Sequence, residues 1–151
     1  MSDLLPIEDE RQIRCLYARY CHGFAHGSAQ DWVDIFAADG VFEKRNPSHG
    51  GLGTSAERVQ GHADLMEMIL GRREKFRGQV RHQQTDILLS PGKCHDEASG
   101  VSLILVTDWR KGSGRLAGLG HCTANFARGA DGWRFTHLLL DTLPKPAECS
   151  V

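Results

Sequence analysis

Apolar side chains near the start of the chain recur with the period of an α-helix. Between Ile7 and His26 they stand three or four positions apart, which gives one continuous stripe. Pro6 precedes this segment, acidic residues occupy its first turn, and Gly27 follows it, as at the two ends of a helix. The pattern predicts an amphipathic helix over 7–26 whose buried stripe includes Ile13, Leu16, Tyr17, Tyr20 and Phe24.

The next fifty residues predict two further helices with a short strand and a loop between them. Residues 29–37 carry apolar side chains at helical spacing, and residues 62–76 do the same. The Asp39-Gly40 turn precedes a short strand over 41–43. Residues 44–60 contain a proline and three glycines, so we expect a loop there that is able to move.

The second half of the chain changes to long strand-like segments separated by glycine-containing turns. Because each turn is short, the strands are expected to form an antiparallel meander. Helices followed by such a sheet indicate an α+β fold in one domain over 1–151, with a core over 7–143 and a loose tail over 144–151. The strand segments are Val80–Ser90, Ala98–Arg110, Arg115–Arg128 and Gly132–Leu143.

Composition excludes several classes of protein. Eighteen basic and 19 acidic residues give the 151-residue chain a net charge of −1, which does not suit non-specific nucleic-acid binding. No apolar run reaches the ~20 residues that a bilayer span needs, and the acidic N-terminus lacks a signal pattern. Five cysteines without a CxxC pair do not form a disulfide framework. We therefore expect a cytoplasmic protein with reduced thiols and no membrane contact.

Four strings in order resemble the SnoaL-like polyketide cyclase and dehydratase group, which has the nuclear transport factor 2 fold. They are IRCLYARYCHGFAHGSAQDWVDIFAADGVFE, Gly61 before the third helix, RHQQTDI and ANFARGADGWRF. The resemblance implies a single cone-shaped domain, with three helices packed in a curved, mainly antiparallel sheet. It also implies a pocket for a small hydrophobic molecule, and a homodimer formed through the exposed sheet face, to which Trp109 and Trp133 could contribute. The group includes members without catalytic activity, so the fold alone does not determine the function.

The resemblance makes His82 and Tyr20 the candidate catalytic residues. A histidine at the position of His82 is the general base in the dehydratases of the group, and imidazole suits proton abstraction near neutral pH. Tyr20 could donate its phenol hydrogen to a substrate oxygen, with Tyr17 and Phe24 beside it as substrate-binding residues on the same stripe. The alternatives are a structural or rim histidine and an ordinary core tyrosine.

The sequence departs from the dehydratase pattern at Ala25. Relatives usually carry an aspartate five residues after the tyrosine, and its carboxylate orients the catalytic histidine. Here no His–Asp pair can form at that position. His26 should point elsewhere on the helix, and Asp31 or Asp34 could substitute only if the following turn carried one of them inward.

A polar row on the third strand of the meander offers further candidates. His121, Thr123 and Asn125 alternate with Cys122, Ala124 and Phe126, so the two sets lie on opposite faces. If the polar row faces the cone, His121 and Asn125 resemble the histidine and amide with which scytalone dehydratase holds an oxygen. If it faces outward, the row is an ordinary solvated surface.

No sequence motif indicates a metal or a cofactor. His22 and His26 are four residues apart, but no clear third ligand accompanies them. The leading hypothesis is a cofactor-independent lyase or isomerase, dehydratase-like, acting on a hydrophobic cyclic or aromatic molecule. The alternatives are a non-catalytic small-molecule-binding or accessory protein and the small subunit of an oxygenase.

Overall fold

The helix predicted at the start of the chain is present and carries its apolar stripe inward. A computed structural model describes residues 4–46 and 53–143. The first helix, α1 (Ile7–Ala25), buries the predicted stripe together with Asp9. Its end at His26 is followed by Gly27, whose positive φ of 77° carries the chain out of the helix.

The second predicted helix is shorter than expected because its last residues join the sheet. Helix α2 (Ala29–Val33) begins with Ser28, whose side chain accepts a hydrogen bond from the Asp31 amide. Strand β1 (Phe36–Arg45) starts three residues after the helix, so the prediction of a helix to residue 37 was wrong. Pairing with a distant strand decides the conformation here, since the amide of Phe135 donates to the carbonyl of Ile35 at 2.9 Å.

The predicted loop over 44–60 contains a strand. Strand β2 (Ser55–Gln60) pairs with β1 in antiparallel fashion, with Val59 opposite Phe42 and Glu57 opposite Lys44. Val59 is the only large apolar residue of β2, so the sequence shows no alternating apolar pattern there. Pairing with β1 determines the strand instead. The central part of the predicted loop, residues 47–52, lies outside the described residues.

The predicted antiparallel meander is confirmed, and a parallel pairing extends it. After α3 (His62–Phe76), each of the four strands pairs with the next, and β1 then runs parallel to the last strand. The sheet order is β2-β1-β6-β5-β4-β3, in a curved sheet that does not close. These four strands are β3 (Val80–Pro91), β4 (Glu97–Asp108), β5 (Arg115–Gly129) and β6 (Gly132–Thr142).

All three helices contribute to one core on the concave face of the sheet. Residues of β5 alternate between buried and exposed, as expected when one face meets helices and the other meets solvent. Aromatic rings dominate the largest buried side chains, among them Trp32, Trp133, Tyr17, Tyr20, Phe36, Phe126 and Phe135. The predicted loose tail, residues 144–151, lies outside the described residues.

A buried carboxylate fixes the first turn of α1 to the sheet. Asp9 is 7% exposed and accepts hydrogen bonds from the Trp133 indole nitrogen at 2.9 Å and from Arg128 at 2.8 Å. Arg128 also binds Asp96 before β4, at 3.0 Å. Because both donors come from the distant β5–β6 hairpin, this carboxylate holds the helix against the sheet.

We predict that Asp9→Asn destabilises the fold. The substitution keeps the side-chain volume but leaves Arg128 without its buried charged partner, at an expected cost of about 1–3 kcal/mol in the free energy of unfolding. Urea unfolding followed by circular dichroism measures it. Glu10→Gln is the matched control, because Glu10 forms only an exposed pair with Arg14 and its loss should cost under about 0.5 kcal/mol. Equal unfolding midpoints for the two variants would contradict the prediction.

Candidate active site

His82 lies on the concave face of β3, packed between aromatic rings of α1. Its imidazole centroid is 4.0 Å from that of Phe24, and the Tyr20 ring stands perpendicular to it at 6.0 Å. Val80, two residues earlier on the strand, is buried in the same direction. The histidine that the sequence singled out therefore faces the helices.

The surroundings of His82 keep its imidazole neutral. Burial, and after it the positive charges of Arg72 and Lys44, lower its pKa to about 4. Its Nδ1 atom is buried and has no hydrogen-bond partner. An unpartnered buried ring nitrogen is costly, and such atoms are typical of sites that receive a ligand or an ordered water.

Two tyrosines of α1 present unpartnered hydroxyl groups to the same interior. Tyr20 and Tyr17 are 0% and 2% exposed, and neither Oη atom has a hydrogen-bond partner. Burial is the main cause that raises both pKa values above the ordinary value. Both phenols therefore stay protonated and available as hydrogen-bond donors near neutral pH.

A neutral polar pair that the sequence reasoning missed lies beside Tyr17. The Ser102 hydroxyl donates to Gln84 Oε1 at 2.9 Å, and the Gln84 amide nitrogen has no partner. A Cβ atom at Gly100 would come within 2.6 Å of the Tyr17 hydroxyl, so a larger residue there would displace the phenol. Gln84 was detectable in the sequence, because it stands two residues after His82 and shares its face.

A charged group that the sequence reasoning also missed comes from three separate elements. Arg72 of α3 pairs with Glu57 of β2 at 2.5 Å, and Lys44 of β1 is directly opposite Glu57. His82 stands on β3 at one edge of the sheet, whereas β2 and β1 form the other edge. Curvature therefore brings the charges of both edges to the same interior.

No carboxylate among the described residues takes the place of the aspartate that relatives carry at position 25. His26 is engaged with Arg81, its Nε2 atom lying 2.5 Å from the guanidinium. Asp34 accepts from Gln30, and the backbone carbonyl of Asp31 accepts from Arg19 on the outer side of the helix. Neither Asp31 nor Asp34, the two substitutes that the sequence suggested, is among the groups that shift the pKa of His82.

The polar row of β5 faces away from the interior. His121, Thr123 and Asn125 are exposed, whereas Cys122, Ala124 and Phe126 belong to the core. The placement of His121 and Asn125 beside a pocket on the concave face was therefore wrong. Strand alternation defined the two faces correctly, but the curvature of the sheet decides which one meets the helices.

Cys21 and Cys122 are not activated thiols, and no candidate metal cluster occurs in the part of the chain that the structure describes. Burial raises the pKa of Cys21 to about 11 and that of Cys122 to about 12, so both thiols stay protonated. Over residues 4–46 and 53–143, no cluster of three metal-ligating side chains occurs. In the same part of the chain, no helix is long and apolar enough to cross a bilayer.

A curved sheet that wraps helices, with polar groups on its concave face, defines a protein of the nuclear transport factor 2 type. The SnoaL-like domain model matches residues 6–138, so the chain belongs to the SnoaL-like family. No curated protein matches this sequence.

Solved structures support the same fold at low sequence identity. A protein of unknown function from Mycobacterium tuberculosis is 23% identical, with a TM-score of 0.76 over 97% of this chain and 83% of its own. An NTF2-like protein with a cystatin-like fold from Novosphingobium aromaticivorans is 20% identical, with a TM-score of 0.77 over 93% and 86%. A protein from the same organism, described as the beta subunit of an aromatic-ring-hydroxylating dioxygenase, is 15% identical, with a TM-score of 0.75 over 96% and 97%.

We predict that His82 stays neutral down to about pH 5 in the folded protein and titrates near 6.5 in the unfolded chain. The unfolded state then binds more protons between pH 6.5 and 4, so this residue's contribution to stability is lost as the pH falls through that window. NMR of labelled imidazoles measures both states.

Substitution of a nearby charge tests the cause. Lys44→Met should raise the pKa of His82, because one of the two cations that lower it is removed. Lys93→Met removes an exposed lysine in the β3–β4 turn and should leave the pKa unchanged. Folded-state titration of His82 near 6.5 would contradict the assignment of a buried, neutral base.

Proposed function

We propose that the chain binds a hydrophobic cyclic or aromatic molecule on the concave face of its sheet. We further propose that it is a cofactor-independent lyase or isomerase, with dehydration as the leading reaction. The observation that carries this proposal is that Tyr20 and His82 lie side by side, with ring centroids 6.0 Å apart and with their Oη and Nδ1 atoms buried and unpartnered. Tyr17, three residues earlier on α1, adds a third buried hydroxyl without a partner. A mostly apolar site with a few unsatisfied polar groups is typical of small-molecule pockets.

In this proposal His82 removes a proton next to an activating carbonyl group. A neutral imidazole has a free electron pair throughout the physiological range, so it needs no prior deprotonation. The C–H bonding pair passes into an enolate, and in a dehydration the enolate then expels the β-hydroxyl group. That group takes the proton from the His82 imidazolium and leaves as water, so the base is regenerated. Tyr20 donates its phenol hydrogen to the oxygen on which charge develops.

The nearby cations affect both products of this proton transfer, the imidazolium and the enolate. Arg72 and Lys44 disfavour the imidazolium that forms on His82, which makes the base weaker. The same charges favour a negatively charged enolate in the same interior. The two effects partly offset each other in the transition state, so a pKa of about 4 does not by itself disqualify His82 as the base.

A non-catalytic binding or accessory role is the second candidate, and a specific observation favours it. His82 lacks the carboxylate that orients and charges the base in the dehydratases that this chain resembles, and the position is occupied by Ala25. The likeness to the beta subunit of a ring-hydroxylating dioxygenase suggests one form of this accessory role, in which the chain is the small subunit of an oxygenase. That role requires a large subunit that purifies with the chain.

We predict that His82→Gln lowers turnover at least about a hundredfold while ligand binding survives. The amide keeps most of the volume but cannot accept a proton, and general bases typically contribute factors of about 10² to 10⁴. Cyclic β-hydroxy ketones form the assay panel, with product detected by mass spectrometry and the fold checked by circular dichroism. His95→Gln, at an exposed position, is the matched control.

The outcomes separate the two candidates. Equal turnover by His82→Gln and the wild type would contradict the catalytic assignment. Ligand binding by the wild type without turnover of any panel member would favour the binding role instead.

We propose that the chain forms a homodimer through the outer face of the sheet. Val101, Leu103 and Leu105 of β4 lie on this face, and Leu119 of β5 stands opposite Leu105. Leu103 and Leu119 are 42% and 39% exposed, an apolar surface that a second copy would cover. Trp133 is part of the core and cannot contribute, whereas Trp109 at the end of β4 is exposed.

We predict that Leu103→Glu converts a dimer to a monomer, because a carboxylate at the centre of an apolar interface has no partner. Sedimentation velocity measures the mass. Leu70→Glu, at an exposed position of α3, should leave the mass unchanged. A wild-type chain that is monomeric at high micromolar concentration would refute the dimer.

A further inference from the structure

We propose that the ligand carries an acidic group, a carboxylate or a comparable oxyanion, on its apolar body, and that Lys44 is its counter-ion with Arg72 beside it. This inference rests on the proposed binding of a small molecule to the concave face. It adds the charge of the ligand, which neither the family nor the neighbouring structures assign.

The position of Lys44 within its strand directs its side chain inward. Phe42, two residues earlier, is 4% exposed and belongs to the core. The partner of Lys44 on the parallel strand β6 is Leu140, another core residue. Since register partners in a sheet share a face, Lys44 extends the inward row of β1 rather than the outer surface.

Arg72 likewise occupies a core-facing position of its helix. Leu65 and Ile69 of α3 are fully buried, and Arg72 follows Ile69 by three residues on the same side. Its partner Glu57 faces the interior from β2, and both side chains of the pair are 28% exposed. An ion pair on the solvent-exposed surface would not place both of its residues at positions that face the core.

The charges of this group do not cancel. Lys44 and Arg72 are positive and Glu57 is negative, while His82 stays neutral, so one positive charge is in excess. Within residues 4–46 and 53–143, the Lys44 ammonium makes neither an ion pair nor a hydrogen bond. Lys44 is partly buried as a residue, and a bound anion would give its ammonium group a partner of opposite charge.

Aromatic rings lie beside His82 and on the face of α3 that carries Arg72. Phe24 and Phe76 stack at 6.2 Å, and Phe24 contacts His82. Phe76 lies one helical turn after Arg72, so cationic and aromatic groups alternate along one face of α3. An aromatic acid matches this arrangement, with its ring against the phenylalanines and its acidic group toward Lys44.

Matched acid and amide pairs test the inference, because they differ in charge with little change in shape. The probes are benzoate against benzamide and 2-naphthoate against 2-naphthamide, with dissociation constants measured by isothermal titration calorimetry. We expect the better-bound acid to have an affinity at least about tenfold higher than that of its amide, which corresponds to about 1.4 kcal/mol in binding free energy. Lys44→Met should abolish the preference, and Lys44→Arg should retain it.

Two further variants make the test specific to this group. Glu57→Gln removes the opposing negative charge, so it should strengthen binding of the acid and leave the amide unchanged. Lys93→Met, which removes an exposed lysine in the β3–β4 turn, should leave the affinities for both the acid and the amide unchanged. A non-specific effect of net charge would act equally at Lys44 and Lys93.

The outcomes separate this inference from the function on which it rests. Equal affinity for acid and amide, or a preference that survives in Lys44→Met, overturns the acidic ligand but leaves a neutral small molecule in place. Failure of all four probes to bind overturns the pocket and the proposed function together.

Discussion

The packing of the aromatic stripe of α1 against the concave sheet is the interaction on which the rest of this structure depends. The stripe brings Tyr17, Tyr20 and Phe24 into contact with rings from the sheet and from α2. Both ends of the helix are anchored. Asp9 binds the β5–β6 hairpin at one end, and at the other Arg73 of α3 donates to backbone carbonyls, including those of His26 at 3.0 Å and Gly27 at 2.6 Å.

This packing also explains why the polar atoms of the interior lack partners. A helix that fits a curved sheet by its rings leaves phenol and imidazole groups in positions set by the packing of carbon atoms. The hydroxyls of Tyr17 and Tyr20 are buried in this way without a hydrogen-bond partner. The unsatisfied groups cost stability, which is a common feature of sites that bind ligands.

Local sequence patterns predicted most of the helices and strands, and the elements that they missed depend on pairing between distant parts of the chain. The stripe of α1 and the glycine turns of the meander are encoded within a few residues, so their boundaries were predicted closely. Strand β2 exists because β1 pairs with it, and β1 begins early because it runs parallel to β6. To predict that His121 faces outward, one must know the direction in which the sheet curves. To predict the group of Lys44, Glu57 and Arg72, one must know that three elements of the fold meet.

The electrostatics of the site connect the proposed catalysis by His82 with the proposed binding of an acidic ligand. The pKa of His82 is low because of burial and because Arg72 and Lys44 are near, and Ala25 stands at the position where an aspartate would oppose them. An acidic ligand beside Lys44 would supply the negative charge that the aspartate provides in the dehydratases this chain resembles. Its binding would raise the pKa of His82, so the imidazole would become a stronger base only in the complex. In this way the substitution to Ala25 is compatible with catalysis, provided that the substrate itself brings the missing charge.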